Sequence, residues 1–453
     1  MKFVVIGAVA AGMSAASKAK REDPSMEVEV YTLEDHISYA ACGLPYYIEG
    51  KIEEKEKLIA RSEEKFAKQG IRIFTKHWVE KIDPERNIIT VMNPDGAELI
   101  VDYDKLLIAT GASAIMPPLP GIDLENIFTV KNIPEADKVR NQIPKAKKVV
   151  IVGGGYIGLE MIDAFYPFGM DITVIEKAPQ LMGNIDKEMA EIIDDHLYDK
   201  GIKVKLGEAV EAFTGHGKVQ MVKTDKGEYP ADIVIMAIGV TPNSKLAKDA
   251  GIKLGVKNAI KVNRSMETSQ KNIYAAGDCV GAYHLQYEDD AYIPLGTTAN
   301  KQGRVAGENI AGGEVEFQGV IGTGIMKILD LEVGRTGLNT REAEMLKKDF
   351  FDINITIPNI ASYYPGYDKG KLKLIVEKGT GKVLGGQIVG PPLTAKRIDV
   401  IATSIQAGFT VRDMSKLDLA YAPPFSSVWD PVLMAANVAV NELEKLGSSP
   451  YVN

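Results

Sequence analysis

The sequence predicts an α/β fold in which two Rossmann-like dinucleotide-binding units succeed one another along 453 residues. Three observations carry this. Two glycine turns, GAVAAG at 7–12 and GGGYIG at 153–158, each follow a β-branched apolar run and open a helical stretch. Each helical stretch leads to a second apolar run, as a parallel βαβ unit requires. The chain is also too long for one core, so two to four domains are expected.

Lys2 to Ile6 reads as the first central strand and 7–12 as its turn. A helix is expected to run to about Arg21, and Glu27 to Thr32 alternates like a second strand. The N-terminal run MKFVVIGAVAAGMSAASKAK has a secretory look, but Gly7 and Gly12 punctuate it where a strand–turn–helix needs them. The turn matches Gly-x-Gly-x-x-Gly imperfectly, with Val9 at the middle glycine. Gly7, Ala11 and Gly12 would let the backbone approach a pyrophosphate, and Thr32 or Glu34 would meet a ribose hydroxyl.

The second unit has the full spacing in Gly153, Gly155 and Gly158. Its second strand, Ile172 to Ile175, ends in Glu176, close to the expected distance of about 20 residues from the turn. A carboxylate there accepts from both ribose hydroxyls and repels a 2′-phosphate. NADH is therefore favoured, with NADPH left open by the neighbouring Lys177. For one glycine turn alone, tight strand–helix packing is a serious alternative; two turns in the same context argue against it.

Composition narrows the classes. Charged residues make up 25% and the net charge is −8, which speaks against a nucleic-acid surface. Cys42 and Cys279 are the only cysteines, too few for a disulfide framework or a zinc site, and they suit a reducing, cytoplasmic setting. Five scattered histidines give no metal-ligand spacing, so no metal is expected. No stretch is long and apolar enough to span a membrane.

With KLLIATGA (105–112), VIMAIGVTPN (234–243) and IYAAGDC (273–279) added, the chain resembles the pyridine nucleotide-disulfide oxidoreductase family over its whole length. The resemblance implies FAD on the first unit and NADH on the second. It implies cofactor contacts from Thr110, Gly111, Gly239, Gly277, Asp278 and Ala299, with Asp278 on the ribityl chain, and Tyr156 and Glu160 near the nicotinamide. It implies an FAD domain from 1–115 and 245–321, an NAD domain at 116–244, and an α+β dimerisation domain at 322–453. KLKLIVEKGTGKVLGGQIVG (371–390) reads as an antiparallel hairpin in the last.

Tyr47 stands where dithiol members carry a second cysteine, so SYAACGLPYY (38–47) resembles the single-cysteine subgroup. That subgroup holds coenzyme A-disulfide reductases, persulfide and polysulfide reductases, NADH oxidases and NADH peroxidases. GAVAAG, SYYPG with Tyr363 and AYAPPF with Tyr421 resemble the coenzyme A-disulfide reductases. The oxidases and peroxidases generally carry a His in the first turn, where this chain has Val9-Ala10-Ala11. The implied reaction passes hydride from NADH to FAD and two electrons to Cys42, which cycles through a mixed disulfide with coenzyme A or a related small disulfide, persulfide or polysulfide. An oxidase reducing oxygen through a Cys42 sulfenic acid is the alternative. Tyr363 and Tyr421 would come from the second subunit of a homodimer and assist the leaving thiolate. Ser17, Lys18, Arg21, Ser38 and Tyr39 would contact the nucleotide portion of coenzyme A. The run KAKR (18–21) also suits an ordinary solvated helix end, and the two readings stand even. No cysteine follows 279, which disfavours the extra rhodanese domain and its sulfur relay. Cys279 reads as a buried structural thiol.

Overall fold

The computed structural model describes residues 1–447. They fall into two compact units. The first takes Met1–Ile115, Val130–Arg140 and Gly239–Val320; the second takes Met116–Thr129, Asn141–Ile238 and the chain from Ile321 onward.

The first unit is built on a five-stranded parallel sheet ordered Ile273–Ala275, Lys105–Ile108, Lys2–Ile6, Glu27–Tyr31, Ile71–Phe74. Phe3 to Ile6 are all buried because both sheet faces are covered. Phe3 and Val5 meet the helices Ala10–Glu22 and Gly296–Ile310. Val4 and Ile6 meet the antiparallel sheet Trp78–Asp83, Ile88–Met92, Glu98–Asp102. The two helices approach closely because small residues face one another. A Cβ on Gly303 would stand 2.3 Å from the Ala11 carbonyl oxygen, and one on Gly307 2.4 Å from that of Ala15.

The second unit contains a parallel and an antiparallel five-stranded sheet, with a three-stranded antiparallel sheet of Val210–His216, Lys218–Thr224 and Glu228–Pro230 beside them in sequence. The parallel one runs Lys203–Leu206, Asp171–Glu176, Lys148–Val152, Ile233–Met236, Ile127–Phe128. The five-stranded antiparallel one runs Gly324–Ile328, Leu331–Gly337, Val383–Gly390, Lys369–Glu377, Phe350–Pro358. The expected hairpin is its centre, with Lys371 opposite Val389. The helices Ile398–Gln406 and Pro431–Lys445 bury Ile398, Ile401, Val432 and Ala436 against this sheet. The buried Lys373 ammonium is neutralised by Asp186 at 2.9 Å, Asp352 at 3.1 Å and Glu188, so its burial is compensated. Among the described residues no helix is long and apolar enough to cross a membrane.

Candidate active site

The same turn is built twice. Gly7 (φ +107°) and Gly153 (φ +111°) take a backbone conformation that side chains avoid. A Cβ on Gly12 or Gly158 would lie 1.9 Å from the carbonyl oxygen of Gly7 or Gly153 respectively. Val9 and Gly155, the middle positions, have negative φ. The valine therefore does not occupy a left-handed backbone position. A side chain at Gly155 would point into open space, as expected where a ligand approaches.

The first turn carries the loop of Cys42. Ser38 (φ +47°) donates its N–H to the Ala8 carbonyl at 2.8 Å, tying this loop to the glycine turn. Cys42 lies exposed in the one-turn helix Ala41–Gly43, ahead of the helix Leu44–Glu49. Tyr47 is buried, with its hydroxyl on Asp137 at 2.6 Å and its ring under Arg140. Cys279 is wholly buried, its thiol donates toward the Ala276 and Ile108 carbonyls, and burial pushes it up to about 11. It is a structural thiol.

Ala11, Gly277 and Ala299 converge: a Cβ on Gly277 would sit 2.9 Å from that of Ala11 and 3.6 Å from that of Ala299. The Asp278 carboxylate is a quarter exposed, with the Lys131 ammonium at 3.6 Å. Thr110 donates its hydroxyl to the Asn243 carbonyl at 2.6 Å, which pins Gly111 (φ +67°). Gly239 (φ +117°) accepts from the Ile115 N–H beside them. Gly111 and Gly296 both face open space. Thr32 is buried, with its hydroxyl accepting the Glu34 N–H at 3.3 Å. Glu34 in turn accepts the Tyr39 hydroxyl at 2.7 Å, and burial pushes its carboxyl up. This donor set fits a flavin nucleotide: the bare glycine turn would admit a pyrophosphate, and the Glu34 and Asp278 carboxylates would accept from ribose or ribityl hydroxyls.

In the second unit, Glu176 accepts the N–H of Gly154 at 2.6 Å and of Ala178 at 2.7 Å. Its carboxylate is thereby fixed beside the glycine turn, with lone pairs left for ribose hydroxyls. The Tyr156 hydroxyl accepts from Asn184 at 3.3 Å and lies over Gly324, where a Cβ would be 2.6 Å away. Glu160, one turn along the same helix, is pushed up to about 7 by burial and by Asp163.

Tyr363 and Tyr421, 58 residues apart, are brought together with hydroxyls 3.1 Å apart. Both are exposed, at 74% and 43%. The adjacent Tyr363 hydroxyl pushes the Tyr421 phenol up.

The expected substrate residues divide. Ser17 and Tyr39 are buried, at 5% and 7% exposure, and Ser17 accepts from Arg61 at 3.2 Å. Lys18 is paired with Glu22 and with Glu308 at 2.9 Å, and Lys20 donates to the Pro24 and Met26 carbonyls. Arg21 is exposed and Ser38 half-buried. Sequence reasoning missed Arg61, Lys131, Gln302 (its Oε1 accepts the Gly277 N–H at 2.9 Å) and Tyr292, whose hydroxyl donates to the Asp278 carbonyl at 3.0 Å. Each is tied to its partner only through the tertiary fold. No group of His, Cys, Asp and Glu suited to a metal occurs among the described residues.

Residues 1–303 match the family described as pyridine nucleotide-disulphide oxidoreductase, and residues 324–432 match its dimerisation domain. A relative named NAD(P)H sulfur oxidoreductase (CoA-dependent), from Pyrococcus furiosus, is 42% identical over 96% of this chain and 98% of its own. A relative named NADH oxidase, from Methanocaldococcus jannaschii, is 39% identical over 98% of this chain and 99% of its own. A solved NAD-dependent persulfide reductase from A. fulgidus superposes with a TM-score of 0.95 at 41% identity, covering 98% of this chain and 84% of that one.

Proposed function

The chain belongs to the pyridine nucleotide-disulphide oxidoreductase family, and from that premise we propose that it is an FAD-dependent NAD(P)H oxidoreductase acting on coenzyme A disulfide or a related small disulfide, persulfide or polysulfide through Cys42. The observation that carries this reading is the exposure of Cys42 while Cys279 is buried. With no second thiol at hand, the sulfur partner must come from outside. The coenzyme A-dependent and persulfide-reducing relatives support the same substrate class.

In this reading the FAD domain is 1–115 with 245–321, the NAD domain 116–244 and the dimerisation domain 322–453. The protein is a cytoplasmic homodimer. Gly7, Ala11, Gly12, Glu34, Thr110, Gly111, Gly239, Gly277, Asp278 and Ala299 hold FAD, with Thr32 buttressing Glu34. Gly153, Gly155, Gly158 and Glu176 hold NADH, and Tyr156 and Glu160 flank its nicotinamide. Bound FAD supplies, as electrons received from NADH, the reduction of the Cys42 mixed disulfide. Cys42 then acts as a thiolate: its sulfur attacks one sulfur of R–S–S–R, a new mixed disulfide forms, and RS⁻ leaves. Tyr363 and Tyr421, offered by the partner subunit, give that thiolate its proton. Ser38, the exposed Arg21 and the half-buried Arg61 receive the phosphates of coenzyme A; Lys18, being ion-paired, lies on the helix that carries Arg21.

The relative named NADH oxidase favours a second reading, oxygen reduction through a Cys42 sulfenic acid. Against it, Val9-Ala10-Ala11 offers no side chain that can pass a proton to a peroxide. Replacing Cys42 by Ser tests the main reading. NADH-dependent reduction of coenzyme A disulfide should vanish while reduction of an artificial quinone by the flavin continues. Undiminished disulfide turnover in Cys42→Ser refutes it.

A further inference from the structure

The two loops that carry Tyr363 and Tyr421 share one half-buried cation. Arg397, on the short turn Ala395–Arg397 ahead of the helix Ile398–Gln406, has a side chain only 11% exposed. Its Nη2 donates to the Asn359 carbonyl at 3.2 Å, at the root of the Tyr363 loop, and to the Phe425 carbonyl at 2.8 Å, just beyond Tyr421. Its Nη1 donates to the Leu393 carbonyl. Its Nε donates to Asp430 at 2.9 Å. Asp430, 13% exposed, also accepts from Ser426 at 3.0 Å and caps the helix Pro431–Lys445 through the Val432 N–H at 2.9 Å. A single backbone bond, Ala361 N–H to the Pro423 carbonyl at 3.2 Å, joins the two loops besides the phenols.

We propose that Arg397, held by Asp430, is the positioning residue of the tyrosine pair: its guanidinium fork locks the 359–368 and 421–430 loops together so that the two phenols act as one proton-donating unit. This deepens the function proposed above and rests on it for the role of the tyrosines. The planar fork serves four acceptors lying in different directions. A lysine, with one point charge, cannot do so. Within their own subunit the phenols are exposed and hydrogen-bond only each other among the described residues. The order that this subunit gives them therefore comes from the roots of the loops, where Arg397 lies.

The test is a double-mutant cycle on the holoenzyme dimer with wild type, Arg397→Lys, Tyr421→Phe and the pair combined. The readouts are kcat and KM for coenzyme A disulfide. Arg397→Lys should lower kcat about 10- to 100-fold, as displacement of a reacting group by about 1 Å does. KM should stay within about twofold, and the combined variant should be no slower than Tyr421→Phe alone. Asp430→Asn, which keeps the helix cap but weakens the ion pair, should shift kcat in the same direction and covers the case in which Arg397→Lys fails to fold. Wild-type kcat in folded dimers of either variant, or losses that multiply with that of Tyr421→Phe, overturns the proposal. If Tyr421→Phe itself turns over like wild type, the tyrosine role proposed above fails. The clamp is then judged by hydrogen exchange across 359–368 and 421–430, and unchanged protection in Arg397→Lys overturns it.

Discussion

Glu160→Gln removes a carboxyl whose proton is held by burial and by the neighbouring Asp163. Burial and the neighbouring Asp163 raise the Glu160 carboxyl from 4.5 to about 7. The folded protein therefore holds this proton more tightly than the unfolded chain does. The stability associated with it is fully present below pH 4.5 and is lost as the pH rises through 7. A shift of this size corresponds to about 3 kcal/mol, at about 1.4 kcal/mol per pKa unit. Glutamine keeps the shape and carries no charge at any pH. The variant should thus exceed wild type by about 3 kcal/mol at pH 8 and by under about 1 kcal/mol at pH 5. For a chain of this length unfolding cooperatively, about 2.1 cal/mol/K per residue converts 3 kcal/mol into a gain of about 3 °C. Thermal unfolding of wild type and Glu160→Gln, followed by intrinsic fluorescence at both pH values, reads the gap directly. A gap that is equal at pH 5 and pH 8, or that favours wild type at pH 8, refutes the argument.

Gly307→Ala, which puts a Cβ 2.4 Å from the Ala15 carbonyl oxygen, should destabilise the first unit by about 1–3 kcal/mol, seen as a lower unfolding midpoint. Arg61→Ala should raise KM for coenzyme A disulfide about tenfold while leaving KM for the uncharged hydroxyethyl disulfide unchanged, because a charge-assisted hydrogen bond is at stake. Glu176→Ala should raise KM for NADH about tenfold and narrow the preference over NADPH, since the ribose acceptor and the repulsion of a 2′-phosphate go together; steady-state kinetics with both nucleotides decide this.

Much of the frame was legible because it depends on local chemistry. The two glycine turns, the run IYAAGDC and the hairpin at 371–390 are each specified by neighbours in sequence, and the structure forms each in place. The side chains that organise the site were less legible. Arg61 reaches Ser17 across 44 positions and Gln302 reaches Gly277 across 25. Nothing in the sequence around either residue marks it. The partner of Lys18 in the basic run KAKR was illegible for the same reason: Glu308 belongs to a helix almost three hundred residues later that packs on the first through Gly303 and Gly307. The second glycine position shows the reverse case. Val9 looks like a defect in the motif, yet its φ is negative, whereas Gly7 takes the positive φ that glycine permits.

The central claim is that Cys42 works through a bond to an external thiol. The intact mass of the purified protein, taken before and after a reducing agent with the released small molecule identified, tests it most directly. The expected result is an adduct on Cys42 that reduction removes, yielding coenzyme A or a related thiol. A single added oxygen on Cys42, with efficient oxygen-dependent NADH turnover and no disulfide turnover, would contradict it.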